Sequence, residues 1–527
     1  MEIRLGSTAG PQLGSVPECI DYFAKETQLR QMQWGQRLAE DADRFAEVEA
    51  EIDRYYRLGA GRLTAALLAE VTAQPAMKEQ VERVRTLATQ PVGKPKLRPL
   101  RVRLLCGLML FITTGYCAPQ GKAKKGSQER RAGMYPELAA LGFGKGCSPA
   151  LQYTVARIVA LNPSIALARK ELARQGICLD TKTVRRITEQ LGVQLLELRR
   201  RELFAWRAGS LPAGTEFAGR RVAVQIDGGR IRMRENKRKG RSRKKNKRSK
   251  FKTPWREPKL LTIFEIDEHG KMTKKHCQPL IDGTLLGPDH LMEVLAYHLY
   301  RLGVAEAELV VFAADGAPWI WDRLDWVVQR VGLDPSRVVQ VLDFCHASHH
   351  ISLALQTLRI EEGKRKEIYR RLRKLLKRSR YDQVVEELER LAKGQPEDSD
   401  VWREIRYIQK HGESGRLQYE TFRRRGIPSG SGAIESAVRR VINLRLKSNA
   451  IYWLAENAEG VFSIRAALLC DRWEEILTRT RHTMARDRRV SWKWDAPDTS
   501  GSMKETPEIS SEPSQHTHRQ QPTTVAA

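Results

Sequence analysis

Paired cysteines are missing from this sequence. Its eight Cys stand at positions 19, 106, 117, 147, 178, 277, 345 and 470, and no two form a C-x-x-C pair. Neither a disulfide framework nor a zinc knuckle is therefore written here. Long apolar runs are missing too. The longest, residues 104–116, spans thirteen residues and is interrupted by Gly107 and two threonines. A bilayer crossing needs about 20. The opening MEIRLGSTAG has no apolar h-region, so secretion through a signal peptide is not expected. Acidic side chains are in deficit, with 63 Asp and Glu against 92 Lys and Arg, a formal charge of +29. What is present is a chain of 527 residues, long enough for two to four compact units. Its 41% hydrophobic content supplies a core, which excludes wholesale disorder. The expectation is a basic cytoplasmic protein, nucleoid-associated, whose partner is a nucleic acid.

The charge is concentrated. Of the 21 residues 230–250, thirteen are Lys or Arg and one is Glu, so this stretch carries +12 of the +29. Such a run repels itself and has too few apolar residues to fold alone. Lys237, Arg238, Lys239, Arg241, Arg243, Lys244, Lys245, Lys247, Arg248 and Lys250 are the candidate phosphate contacts. No aromatics interleave them, so backbone contact is expected rather than base reading.

The periodicity predicts three regions and a tail. Residues 1–147 read as a helical and linker region. A loose tail (1–15) precedes helix from about Asp21 to Val71, with Leu38, Phe45, Val48 and Ile52 on one face. That face packs on the body or pairs with another copy. A β-prone stretch ends near Cys117, and a loop follows over 118–133. Residues 148–195 read as three short helices: Pro149 to Leu161, a second capped by Ser164 and closed by Gly176, and a third capped by Asp180 or Thr181. The last two form a helix-turn-helix pattern, with Lys182, Arg185 and Arg186 where such motifs touch DNA. Any small helical bundle can imitate it.

Residues 218–480 change grammar. RVAVQID is a β-run, KLLTIFEI and KMTKKHCQPLI flank the turn DEHG, and Asp289 is expected to cap a helix. ELVVFAAD and RVVQVLD are two further buried runs, with PWIWDRLDWVVQRVG as a helix between them. The order predicts an α/β domain with a ribonuclease-H-type mixed sheet. Insertions fall at about 230–256, within the hairpin, and 352–425, which is helical. A Ser/Thr/Pro/Gln-rich tail over 497–527 is expected to be disordered.

Three acids stand out by position. Asp227 and Asp315 end β-runs, each followed by a glycine, and Glu435 lies in the first turns of a helix after IPSGSG. Strand carboxyl ends in open α/β sheets face the ligand crevice. Gly228 and Gly316 are expected to admit a substrate or metal closely. Three converging carboxylates repel unless cations neutralise them, and two Mg²⁺ ions about 4 Å apart are the usual solution in nucleases and polymerases. Each acid alone also fits ordinary turn or helix-dipole chemistry. Asp343, His346 and His350 have helical spacing that suits Zn²⁺, but nothing completes a structural site. His346 is expected to touch phosphate or orient an active-site group, or simply to pack. Trp319 and Trp326 are expected in the core, with Trp321 pointing elsewhere.

The elements QIDGGRIR, WREPKLL, FAADGAPWIW, VLDFCHASHH and IPSGSGAIESAVRRVINLRLKSNAIYW together resemble bacterial insertion-sequence DDE transposases of the ISKra group, relatives of Mutator-like transposases. The resemblance spans about residues 90 to 475. It implies that Asp227, Asp315 and Glu435 are the catalytic, metal-binding triad, that Mg²⁺ is the cofactor, and that the fold is ribonuclease-H-like. It also implies an accessory Asp343-x-x-His346 element. The group often carries a paired-Cys element before the helix-turn-helix, where this chain has only the widely spaced Cys106 and Cys117. The implied activity is cleavage at transposon ends and strand transfer into target DNA, by at least a dimer on DNA. A non-catalytic DNA-binding protein and a ribonuclease-H-like nuclease or resolvase remain alternatives at this stage.

The charge distribution yields a first prediction. Deleting residues 234–250 should weaken DNA binding and flatten the slope of log affinity against log salt, measured by titration at several salt concentrations. An unchanged slope would reduce the run to a solvated loop.

Overall fold

Local signals set the N-terminal region, and tertiary pairing completes it. The computed structural model describes residues 1–5, 13–88, 91–120, 133–236, 250–447, 451–486, 488 and 490–494. The expected loop at 118–133 lies mostly outside these residues. So do the expected contacts from Lys237 to Arg248 and the 497–527 tail. The expected loose N-terminus is instead partly ordered. β1 (Glu2–Leu5) is a strand because Ile3 inserts beside Ala65, Leu110 and Ile112. α1 (Val16–Glu40) starts under a capping box between Ser15 and Glu18. It does not continue to Val71. Asp41 accepts the Asp43 N–H and turns the chain, and α2 (Phe45–Ala73) runs back antiparallel. Phe23 stacks on Tyr55 at 4.9 Å, and Arg37 pairs with Glu51 at 2.6 Å. α3 (Pro75–Thr86) follows. β2 (Val92–Arg103) and β3 (Met109–Pro119) form a long antiparallel hairpin, and β1 pairs with the other edge of β3. α4 (Pro136–Ala140) closes this region.

The three expected helices are present. α5 (Pro149–Leu161) has the predicted bounds. α6 (Ile165–Arg174) begins where the Ser164 hydroxyl accepts the Leu167 N–H, and Gly176 leaves it at φ +78°. α7 (Thr181–Arg207) begins under Asp180, which accepts the Lys182 and Thr183 N–H groups. The third helix is not short. α7 runs 27 residues, and Gly192 within it faces Gly460 of another helix.

The central sheet is mixed. β4 (Arg221–Gly228) is followed by a two-stranded arm. In the arm, β5 (Ile231–Arg232) pairs with β8 (Trp255–Arg256), and β6 (Glu235–Asn236) with β7 (Phe251–Lys252). The ends of the basic stretch are thus brought together. Then come β9 (Lys259–Ile266), β10 (Met272–Thr273), β11 (Leu280–Thr284), α8 (Pro288–Arg301), β12 (Leu309–Ala314), α9 (Pro318–Val331), β13 (Val338–Leu342) and α10 (Phe344–Thr357). Asp289 is not the cap of α8. Gly287 holds that position, and Asp289 sits in the first turn. β9 lies antiparallel between β4 and β11, while β4, β12 and β13 run parallel. In strand order from β11 the sheet reads β11-β9-β4-β12-β13, with β10 also on β9. α8, α9 and α10 bury their apolar faces in the core shared with the sheet.

The expected helical insertion comprises α11 (Glu362–Lys377), α12 (Tyr381–Ala392), α13 (Asp400–Glu413) and α14 (Tyr419–Arg424). Its apolar side chains continue the sheet's core. α15 (Gly432–Ala437) then gives way to a π-helical turn over Val438–Asn443. Within that turn the buried guanidinium of Arg465 donates to the carbonyls of Arg440 and Val441. Arg465 lies on α16 (Ala455–Leu469), and α17 (Trp473–Arg486) follows. Residues Met1–Trp494 form one compact unit. Among the described residues no helix is long and apolar enough to cross a membrane.

α7 and α16 cross at two glycines. A Cβ on Gly192 would lie 2.8 Å from the Gly460 Cα. Gly192→Val should therefore cost about 1–3 kcal/mol despite the better helix propensity, read by urea denaturation. No loss of stability would mean that the helices separate easily there.

Candidate active site

Parallel pairing places two carboxylates side by side. Ala314 on β12 is in register with Ile226 on β4, so Asp315 and Asp227 leave neighbouring strands at the same level. The Asp227 Oδ1 accepts the Gly228 N–H at 2.6 Å. The Asp315 Oδ1 accepts the Ala317 N–H at 3.1 Å, and the Asp315 carbonyl accepts the Trp321 indole at 2.7 Å. Glu435 is exposed in the first turn of α15.

The electrostatics tie these residues together. Burial pushes the Asp227 carboxyl up to about 6, the negative charges of Asp315 and Glu435 add to the rise, and the Gly228 N–H and His346 oppose it. Asp315 is also raised, chiefly by burial and further by Glu257, against the Ala317 N–H, His346 and Lys259. The structure thus brings Asp227, Asp315 and Glu435 into one electrostatic neighbourhood, with His346 acting on both aspartates.

Glu435 arrives there through two clamps. Gln225, two residues before Asp227 on the same strand, donates to the Gly430 carbonyl at 3.1 Å and accepts the Ile434 N–H at 2.9 Å. Asp343 caps α10 by accepting the His346 N–H at 2.9 Å. Its other oxygen accepts the Ser431 N–H at 2.6 Å and the Ser431 hydroxyl at 2.8 Å. The glycine-serine turn is therefore pinned rather than loose.

Asp343 is accordingly committed to protein donors and only 2% exposed. His350 is committed too: its Nδ1 pairs with Glu404 and its ring stacks on Tyr407 at 3.6 Å. The Asp343, His346, His350 spacing does not make a zinc site. The tryptophan reading is corrected as well. Trp321 is the buried one, drawn in by its bond to the Asp315 carbonyl and the Arg416 guanidinium 4.3 Å over its ring. Trp326 is exposed, and Trp319 is half-buried.

The two glycines after the acids also do something other than expected. A Cβ on Gly228 would collide with the Glu257 carboxylate, and one on Gly316 with the Tyr407 ring and hydroxyl. These glycines make room for the protein's own side chains. Sequence reading missed Glu257, and with it Lys259, which pairs with Glu257 at 2.6 Å and lies 4.3 Å over the Trp319 ring. The cross-strand register of Gly228 with Lys259 is what brings them to the site, and WREPKLL carries no local sign of it. Lys182, Arg185 and Arg186 are exposed on the first turns of α7, and Lys250 is exposed beside the arm.

Among the described residues no group of three or more His, Cys, Asp or Glu is already arranged to hold a metal ion. The donor chemistry nevertheless fits a hard dication: carboxylate oxygens, with the Asp227 pKa raised chiefly by burial and further by the neighbouring acids, a cost that bound Mg²⁺ would offset.

That crowding has a measurable sign. The folded-state pKa of Asp227 lies above the ordinary 3.8, at about 6. The folded state thus binds the extra proton between these values, and stability falls as pH rises through that window. In metal-free buffer at neutral pH, Asp227→Asn should be more stable than the parent by about 1–2 kcal/mol. The gain should vanish below about pH 4, followed by thermal denaturation across pH. A pH-independent difference would mean that neither burial nor the neighbouring acids raise the carboxylate.

A scan of the chain against protein-family models returns no match, and a search among curated proteins returns none either.

Proposed function

We propose that the chain is a metal-dependent DNA transposase of the DDE type, with a ribonuclease-H-like catalytic sheet. The observation that carries this is the pair Asp227 and Asp315 at adjacent parallel strand ends, with Glu435 close enough to raise Asp227. The strand order supports the fold reading. Numbered from β4 as 1, the sheet runs 3-2-1-4-5, and only strand 2 (β9) runs against the other four.

Asp227, Asp315 and Glu435 would hold the Mg²⁺ ions. Bound there, Mg²⁺ would supply Lewis-acid stabilisation of the charge that develops on phosphodiester oxygens. In the cleavage step a water oxygen attacks phosphorus in line, the bond to the 3′-oxygen breaks, and the free 3′-hydroxyl is left on the transposon end. In the second step that hydroxyl attacks a target phosphodiester and displaces its 3′-oxygen. The chain's own residues position the DNA. His346 and Lys259 place positive or hydrogen-bonding groups beside the acids, against the phosphate being transferred. The arm leaves the sheet directly after Asp227, so its basic stretch holds a phosphate backbone next to the reacting bond. α6 and α7 act as the helix-turn-helix, with Lys182, Arg185 and Arg186 toward the end sequence. The setting is the cytoplasm, on the nucleoid.

The test uses the DNA flanking the gene as substrate. Asp227→Asn, Asp315→Asn and Glu435→Gln should each lower Mg²⁺-dependent cleavage by about a thousandfold or more while sparing binding. Cleavage retained in these variants would overturn the proposal. Cleavage without joined products in the parent would assign a nuclease or resolvase instead.

A further inference from the structure

The hairpin of α1 and α2 has a charge unlike the rest of the molecule. Residues 16–73 contain eleven Asp and Glu against seven Lys and Arg, a net −4 in a chain of +29. Such a surface repels phosphate, so this hairpin is not part of a DNA footprint. Yet it carries a long, largely exposed apolar face. Phe45 is 60% exposed, Tyr56 48%, Leu63 40% and Leu67 52%, and half-buried Ile52 lies between them. Their steps of seven, four, seven and four keep them on one stripe of α2. The side of α2 toward α1 is centred elsewhere, on Glu51, Tyr55 and Gly59 against Arg37 and Phe23, and Tyr56 alone borders both, its ring meeting Phe23 edge-on at 5.5 Å while its outer side stays exposed. The stripe is about 33 Å long, six helical turns. An exposed apolar row of that length marks an interaction surface.

The charges of α2 say what covers it. Its first part holds Glu47, Glu49, Glu51 and Asp53 with no base, and its next part holds Arg54, Arg57 and Arg62 with no acid before Glu70. Glu51 is used by Arg30 and Arg37 of α1. Glu47 and Glu49 are exposed, and so is Arg54. A helix segregated in this way is complementary to itself in the antiparallel sense alone. The stripe has the same property, since Tyr56 lies midway between Phe45 and Leu67.

We propose that α2 docks antiparallel on the α2 of a second copy of this chain, about a two-fold axis at Tyr56. Phe45 then faces Leu67 of the second copy, and each acidic half lies along a basic half. Asp53 and Arg57, which pair within the helix, lie on the flank nearest the axis and can exchange partners across it. A parallel pairing would set like charges together. The interface is isologous, as a closed dimer requires. It forms without DNA and does not depend on the catalytic reading.

The experiment is sedimentation velocity on the full chain without DNA, over a micromolar concentration series. A concentration-dependent dimer is expected. Leu63→Glu with Leu67→Glu should yield monomer, with circular dichroism confirming the helices. Glu47→Lys with Glu49→Lys, at exposed positions that do not threaten folding, should raise the dissociation constant at least about tenfold. Adding Arg54→Glu and Arg57→Glu to that same chain should recover part of the affinity, because the new lysines of one copy then lie along a half that is no longer basic in the other. Mixing Phe45→Cys chains with Leu67→Cys chains should give a disulfide between positions 45 and 67, mapped by mass spectrometry. A parent that stays monomeric, a dimer indifferent to both the apolar and the charge variants, or cross-links joining 45 to 45 would each overturn the proposal.

Discussion

One buried carboxylate holds the candidate site together. Asp343 takes the His346 N–H on one oxygen and the Ser431 N–H and hydroxyl on the other. The first bond starts α10 at the end of β13. The second pair catches the chain on its return, 88 residues later, after the whole helical insertion. Chain-closure entropy grows only with the logarithm of loop length, so an insertion of that size is tolerable if its end is fixed firmly. Asp343 supplies that fixing, with Gln225 as the second hold from β4. Removing the carboxylate would leave two buried donors unmatched, about 1–3 kcal/mol each. Glu435 lies four residues past Ser431 on a six-residue helix, too short to find its place alone.

The site differs from the rest of the interior in what it leaves uncompensated. Asp282 on β11 is more deeply buried than Asp227, and burial alone would raise it. Arg199 and His298 overrule burial and hold it at about 2. Glu459 shares Arg199 and also accepts from Thr284 and Leu285. Those carboxylates belong to a closed network and stabilise the packing of α7, β11 and α16. Asp227 and Asp315 have no such partner. Each accepts one backbone N–H, and His346 beside both and Lys259 beside Asp315 still leave both raised, chiefly by burial. On the reading proposed above, the first set of buried acids serves the packing and the second takes up a group that brings its own positive charge.

What could be read from the sequence was local. Ser164, Gly176 and Asp180 mark helix ends through bonds to residues two or three positions away, and they stand where expected. The β-runs ending in Asp227 and Asp315 were legible because apolar residues concentrate in buried strands. Features set by distant residues were not legible. The third helix is longer than a short element, and the glycine in its middle, Gly192, is explained only by the facing Gly460. Ile3 looked like part of a tail because β3, its partner strand, lies more than a hundred residues away. Trp321 and Trp326 were misassigned because helical spacing gives a face without saying which face meets the core. Glu257 was invisible because only the cross-strand register of Gly228 and Lys259 puts it over the acids.

The length of α7 joins two parts that sequence reading kept separate. Its first turns expose Lys182, Arg185 and Arg186, and the same helix carries Arg199 into the core, between Asp282 and Glu459. Glu459 lies on α16, whose Arg465 ties down the turn directly after α15. A chain of charged, buried contacts therefore runs from the exposed start of α7 to the helix that carries Glu435. An α-helix transmits position along its axis at 1.5 Å per residue with little give. On the reading proposed above, the distance from recognised sequence to cleaved bond is then a property of the folded chain. The enzyme would not need to measure it on DNA. The basic arm beside Asp227 can be poorly specific under this arrangement, because α7 sets the register and the arm only has to hold the backbone against the acids.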